Sequence, residues 1–468
     1  MDNNNFNDLH KNLLEIDLNK DSNKDSNKDL NKDLNKDLNE ASKKDLNRDL
    51  NTKSDDHEEI KIGILGSVDS GKSTLTGVLT HNILDNGRGS ARTKILKHPH
   101  ELESGRTSCI VQHYIRRKDE SSGKETSTVL VDLAGHEKYF KTTINGVERN
   151  FIDYACVVIG ANMGILRMTI EHLILCLSLN LPTFIVISKI DICPENIREN
   201  TIKELTKIIK KKTGNSRHLK FINEEKDWKQ VLDTFKENNL DVNSFIKTIP
   251  VFQISSVKGT NIDLVKSYFL NLPQYHLYQT LYDEEPNFVI DGTFSIKGIG
   301  LVVSGYMTHG IVKKGHILQI GPINGEFIKI NIKSIHNNYK EHVDILKAGQ
   351  GGCFNIKPVN SKQNLKRDFI RKGIRIMKKA KYYTGFEAVI KILHHPTTIK
   401  VNYQPTIHCG TVCQTATIYK MDREFLRLGD KATVNFKFKY RPEYIETGSK
   451  LIFREGKTKG VGKVISVF

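Results

Sequence analysis

The sequence predicts an α/β P-loop domain with a mostly parallel sheet, followed by two β-barrel domains and preceded by a disordered N-terminal tail. Three observations predict it. Between residue 60 and about 285, short β-branched runs alternate with helical stretches, the pattern of a parallel sheet covered by helices. Beyond that point the helical stretches stop, and strand-like runs punctuated by glycine continue to the end. Ahead of residue 60, a four-residue repeat offers too little apolar surface to offset the entropy of ordering it.

The tail spans 1–58, with its DLNK-like repeat over 17–52. Leucine at every fourth position gives a weak helical stripe, but the Asn and Asp in each unit oppose a helix. Residues 1–59 carry 10 basic and 16 acidic side chains, a net −6, which leaves the rest of the chain at +23. A body so basic attracts a polyanion, and nucleic acid or a ribonucleoprotein suits it better than plain solvent exposure. Residues 1–20 have no apolar core, so no secretory signal is expected. The most apolar run, HLILCLSLNLPTFIVISKI, is broken by Asn180 and Pro182. It reads as a helix end, a turn and a buried strand rather than a membrane span. Cys409, Cys413 and His408 lie close in sequence without a second ligand pair, so free thiols are expected there rather than zinc.

The first domain is expected over 59–284. Its strands are IKIGIL, TVLVDL, ACVVIG, TFIVIS and VFQIS; its helices are KSTLTGVLTHNIL, EKYFKTTINGVER, TIEHLILCLSL and a Lys-rich stretch near 197–212. One barrel is expected over 285–379, from FVIDGTFSI, GLVVSGYM, HILQIG and IKINIKSIH. The other is expected over 380–468, from FEAVIKIL, TATIYKM, KATVNFKF and KLIFREG.

Gly66-x4-Gly71-Lys72-Ser73 fits the P-loop pattern, with a strand before it and a helix after it. Glycines let the backbone turn, so that Gly66, Ser67, Val68, Asp69, Ser70, Gly71, Lys72, Ser73 and Thr74 can aim N–H groups at phosphate oxygens. Lys72 reaches the β and γ phosphates, Ser73 offers a hydroxyl to Mg²⁺, and the helix N-terminus adds its dipole. Next, Asp132, Leu133, Ala134, Gly135 and His136 follow a strand. There Asp132 can hold a magnesium-bound water, and Gly135 can offer an N–H to a γ-phosphate. Ser188, Lys189, Ile190 and Asp191 follow another strand. The Asp191 carboxylate can accept from both N1–H and the exocyclic amine of guanine, a donor pair that adenine lacks. Ser255, Ser256 and Val257 end a further strand, where the Ser256 backbone can meet guanine O6. Three such motifs in this order point to GTP and GDP.

These motifs resemble the translational GTPases, the class that includes elongation factors. GSVDSGKST is similar to that class's GHVDHGKTT, and DLAGHEKY to its DxPGHxxY. The likeness covers roughly 60–468 and includes both barrels, through GTFSIKGIGLVVSGYMTHGIVKKGHILQIG and LIFREGKTKGVGKVISV. Within the class, LTHNILDNGRGSARTKILKHPHELESGRTS, SKIDICP, HHPTTI, TVCQTATI and GDKATVNF resemble the eukaryotic GTP-binding protein 1/2 subfamily.

The resemblance implies that Ser73 and Thr107 ligate Mg²⁺, with Asp132 acting through water. It implies that His136 is catalytic, orienting the attacking water or stabilising charge near it, and that Asp69 helps hold a monovalent cation. It further implies GTP hydrolysis as a conformational switch in translation, on ribosome-bound tRNA or mRNA. The other reading is a GTP-regulated scaffold for RNA-decay or other protein partners. A cytoplasmic monomer is expected, with no DNA or membrane partner. Three positions depart from the class. Ser188 stands where most GTPases have Asn, Arg106 where carrier factors have the Ile that pairs with the counterpart of Val68, and Ala134 where DxPG has proline. The stretch 80–107, with Arg88, Arg92, Lys94, Lys97 and Arg106, reads as a mobile loop facing RNA or solvent.

Overall fold

The computed structural model describes residues 58–96, 110–118, 125–149, 152–276, 278–323, 325–360, 363, 365–379, 381–455 and 458–468. The low-complexity repeat and the predicted contributors Arg106 and Thr107 lie outside the described residues.

Seven strands form the first sheet: β1 (Glu58–Gly66), β2 (Val111–Lys118), β3 (Glu125–Asp132), β4 (Tyr154–Gly160), β5 (Thr183–Ser188), β6 (His218–Phe221) and β7 (Thr248–Gln253). Their order is β2-β3-β1-β4-β5-β7-β6. Every neighbouring pair is parallel except β2–β3. Every residue of β4 and β5 is buried, because helices cover both faces of the sheet. One face packs Leu75, Val78 and Leu79 with Trp228, Val231 and Phe269. The other packs Phe140, Ile144 and Val147 with Leu173, Cys176 and Ile209.

The helices are Lys72–His81, Phe140–Arg149, Arg167–Ser178, Glu195–Thr213, Glu225–Glu237 and Ile262–Asn271, besides shorter turns. The apolar run around Asn180 and Pro182 is indeed a helix end, a turn and a strand. The predicted helix that starts at Lys72 ends earlier than its apolar residues suggest. Asn82 takes a left-handed conformation, φ 54°, and turns the chain at His81. Among the described residues of this domain, β2, β6, the helices 225–237 and 262–271 and the short helices Ser90–Thr93 and Val242–Phe245 go beyond the elements the sequence predicts.

Both predicted barrels are present. The first closes through Ile317–Ile323, Arg375–Met377, Asn287–Ile296, Gly300–His309, Gly351–Pro358 and Glu326–Asn337, which pairs back with Ile317–Ile323. The second closes through Gly385–His394, Lys431–Phe438, Val412–Met421, Thr406–Cys409, Lys450–Glu455 and Thr458–Val467. Lys431–Phe438 shows the period-two logic: Ala432, Val434, Phe436 and Phe438 fill the interior while Lys431 and Lys437 face water.

Both barrels touch the sheet domain. Against the first barrel, the buried Glu59 carboxylate accepts from Asn338 Nδ2 at 2.8 Å and from the Gly351 N–H at 3.2 Å. Beside it, Lys61 Nζ lies 3.0 Å from the centre of the Tyr306 ring, and the Lys61 N–H donates to Asp153 Oδ2 at 2.7 Å. Against the second barrel, Lys459 Nζ donates to Glu171 Oε1 at 2.6 Å, and the Arg454 guanidinium sits 4.7 Å over the Phe140 ring.

Candidate nucleotide-binding site

The predicted contact residues outside the undescribed segment converge at one edge of the sheet. The loop after β1, Asp132 at the end of β3, Ser188 at the end of β5 and Ser255 beyond β7 all lie at the C-terminal ends of parallel strands. β1 lies between β3 and β4, so consecutive connections leave it in opposite directions and open a crevice there.

The loop 66–71 is shaped by close approach. A side chain at Gly66 would collide with the Val158 carbonyl of the neighbouring β4, and its φ of 146° disfavours any other residue. Asp69 is exposed, with φ 58°. Helix Lys72–His81 then starts with no side-chain cap, and a helix N-terminus favours an anion. Lys72 is buried and its ammonium donates to the Ser67 carbonyl at 2.8 Å. Burial lowers its pKa, and the Asp132 and Asp69 carboxylates oppose that shift. Ser73 Oγ donates to Asp132 Oδ2 at 2.8 Å, bringing the two predicted magnesium-side oxygens together. Gly135 packs so closely on Lys72 Nζ and the Gly66 carbonyl that no side chain fits.

His136 is half-buried and opens the one-turn helix Glu137–Tyr139, its ring edge-on to Tyr139 at 6.0 Å. Thr143 Oγ1 donates to the Ala134 carbonyl at 2.7 Å and ties this loop to helix Phe140–Arg149. Phe140 on that helix rests against the His172 ring at 5.5 Å. His172 is buried, and desolvation, reinforced by Lys72, pushes its pKa down to about 3, so the imidazole is neutral.

At the end of β5, Ser188 is buried and Lys189 takes φ 60°, a turn that leaves Ile190 and Asp191 half-buried at the rim. The Ile190 N–H donates to the Ile254 carbonyl at 3.3 Å. The next loop is held by Ser255, whose N–H donates to the Thr260 carbonyl at 3.1 Å and whose hydroxyl accepts from the Lys258 N–H at 3.0 Å. Ser256 is half-buried and Val257 exposed.

Known proteins resemble this chain in sequence and in fold. The family described as the elongation factor Tu GTP binding domain matches residues 57–287. GTP-binding protein 1 of Xenopus laevis is 41% identical over 435 residues, covering 87% of this chain and 63% of the relative. Human GTP-binding protein 2 is 36% identical over 436 residues, covering 87% of this chain and 69% of the relative. The chain belongs to the elongation-factor-like GTPase family. It spans less than two thirds of the length of the Xenopus relative. Elongation factor SelB of Methanococcus maripaludis, solved with a GTP analogue, shares its fold, with a TM-score of 0.60 at 20% identity over 88% of this chain and 79% of that one.

For a member of this GTPase family, Ser188 is the informative departure. Its hydroxyl is not idle: Oγ donates to the Ser70 carbonyl at 2.6 Å, and the Ile159 carbonyl lies 3.3 Å away. The phosphate loop comes close enough that a Cβ on Gly71 would lie 3.3 Å from Ser188 Oγ. Sequence reasoning missed two residues beside the site. His172 carried no motif signal. Asp85 did carry one, as an Asp followed by glycines two and four residues on, in DNGRG.

Proposed function

We propose that this chain binds GTP together with Mg²⁺ and hydrolyses it to GDP and phosphate, and that the bound nucleotide switches how the barrels engage ribosome-bound tRNA or mRNA. The carrying observation is the convergence of the phosphate loop, Asp132, Ser188 and the Ser255 loop on one crevice.

The Ser73 hydroxyl and Asp132 carboxylate are oxygen donors in contact, a set that fits a hard divalent cation. Ser73 and Thr107 would ligate Mg²⁺ directly and Asp132 through water, and the ion would neutralise phosphate charge. Asp69 would contribute to a monovalent cation site. The chain's own groups do the rest. The N–H groups of 66–74 and the Lys72 ammonium hold the phosphates, and Gly135 donates to the γ-phosphate. The His136 side chain orients water for in-line attack. Asp191 selects guanine through two hydrogen bonds, and the Ser256 N–H meets O6. The net +23 beyond residue 59 suits an RNA partner. The reading divides the chain into a tail at 1–58, a GTP-binding domain at 59–284 and barrels at 285–379 and 380–468, acting as a cytoplasmic monomer.

GTP turnover with and without purified ribosomes tests it. Slow intrinsic turnover and strong stimulation are expected. GTP-dependent capture of RNA-decay proteins without stimulation would favour the scaffold reading instead.

A further inference from the structure

Residues 82–91 fold around one carboxylate. Asp85 is buried, at 7% exposure. Its Oδ2 accepts from the N–H of Gly87 at 2.9 Å and of Gly89 at 3.1 Å. Its Oδ1 accepts from the Ala91 N–H at 2.9 Å, with the Ser90 hydroxyl at 3.4 Å. Asn86 closes the outer side of the turn: its Oδ1 accepts from the N–H of Arg88 at 2.9 Å and of Ser90 at 3.3 Å. Left-handed Gly87 and Gly89, φ 81° and 88°, bring their N–H groups round to the carboxylate.

This turn is docked on the purine side of the crevice. The Asp85 N–H donates to the Ser256 carbonyl at 2.9 Å. Leu84 covers Gly259, with side-chain atoms 3.3 and 3.5 Å from where a Cβ would stand. Asn82 Oδ1 accepts from Lys266 on the helix that follows the purine loop. At the other end, Ala91 is fully buried, its carbonyl pressed against Gly77 of helix Lys72–His81. The turn therefore bridges the helix that begins at the phosphates and the loop that meets the base.

We propose that Asp85 is a positioning residue for guanine. Resting on the guanine reading above, it holds the Ser256 carbonyl and so sets the loop that carries the Ser256 N–H toward purine O6. The mechanism is a relay of rigid geometry. Three backbone N–H groups and a hydroxyl hold the carboxylate, the carboxylate holds the turn, and the N–H of Asp85 holds the Ser256 carbonyl. Asp85 touches no nucleotide atom in this scheme. A carboxylate that accepts several N–H donors in a buried place is worth more than a neutral acceptor, so its removal frees the turn.

The test compares GDP with 6-thioguanosine diphosphate, which keeps N1–H and the exocyclic amine but replaces O6 with sulfur, a weak hydrogen-bond acceptor. Release of each is followed by stopped flow from wild type and from Asp85→Ala. GDP release is expected to quicken about tenfold in the variant while release of the 6-thio nucleotide changes less than about twofold. Equal acceleration of both, or of neither, would overturn the assignment, because general loosening of the domain does not distinguish the two bases. Asp85→Asn is the milder second variant. It keeps one acceptor for Ala91 but turns an amide NH₂ toward the N–H groups of Gly87 and Gly89, and it carries the test if the alanine variant does not fold. A wild-type protein that binds no GDP would instead defeat the guanine reading itself.

Discussion

The hydroxyl of Ser188 lies 2.6 Å from the carbonyl oxygen of Ser70 and donates to it across a sequence separation of 118 residues. The end of β5, where base recognition is proposed, is thereby fastened to the loop proposed to hold the phosphates. Replacing Ser188 by alanine leaves the buried Ser70 carbonyl without this donor, at a cost of about 1–3 kcal/mol. Weaker GDP and GTP binding is expected by calorimetry, roughly tenfold, while preference over ATP persists because Asp191 is intact. Loss of that preference would move base selection onto Ser188.

His136→Ala should bind GTP like wild type and lose ribosome-stimulated hydrolysis. A stimulation on the order of 10⁵-fold corresponds to about 7 kcal/mol of transition-state stabilisation, so the loss is large enough to read in a single-turnover assay. Unchanged stimulation in the variant would remove His136 from the chemistry.

Chelation probes the Ser73–Asp132 pair. Excess EDTA should speed GDP release from wild type strongly and from Ser73→Ala only slightly, since the variant already lacks a ligand. Equal sensitivity in both would place the cation elsewhere.

The junction between β1 and the first barrel gives a pH test. Burial pushes the Glu59 carboxyl up to about 7, opposed by Lys61, Asn338 and Gly351. Burial likewise raises Asp153 to about 7 and lowers Lys61 to about 8. A carboxyl whose folded pKa exceeds its unfolded value binds its proton more tightly when folded. The stability it lends is complete below its ordinary pKa near 4.5 and is lost as pH rises through about 7. Glu59→Gln cannot titrate. Its thermal midpoint should therefore gain on wild type between about pH 5 and pH 8. A constant gap across that range would show that Glu59 does not titrate there.

Much of this was legible in the sequence, and the exceptions are physical. β4 and β5 were plain because burial on both faces leaves continuous apolar runs. β2 was not, because it is an antiparallel edge whose Arg116, Arg117 and Lys118 hide the strand period. β6 has only four residues, none of them buried. Helix Glu225–Glu237 could have been found, since Trp228, Val231, Leu232 and Phe235 stand three, four and seven apart and all are buried. The phosphate loop and Asp132 were readable because local backbone chemistry imposes their pattern. The bond from Ser188 to Ser70 was not, since it depends on how closely two strand ends pack. Nor was Lys61 beneath Tyr306, an interaction between domains that no local pattern encodes.

The most direct measurement is titration calorimetry of the purified chain with GTP, GDP and ATP in the presence of Mg²⁺. Saturable heat with both guanine nucleotides and none with ATP is the expected result. No heat with GTP or GDP, or equal uptake of ATP, would contradict a crevice in which the 66–74 loop holds phosphates and Asp191 reads guanine.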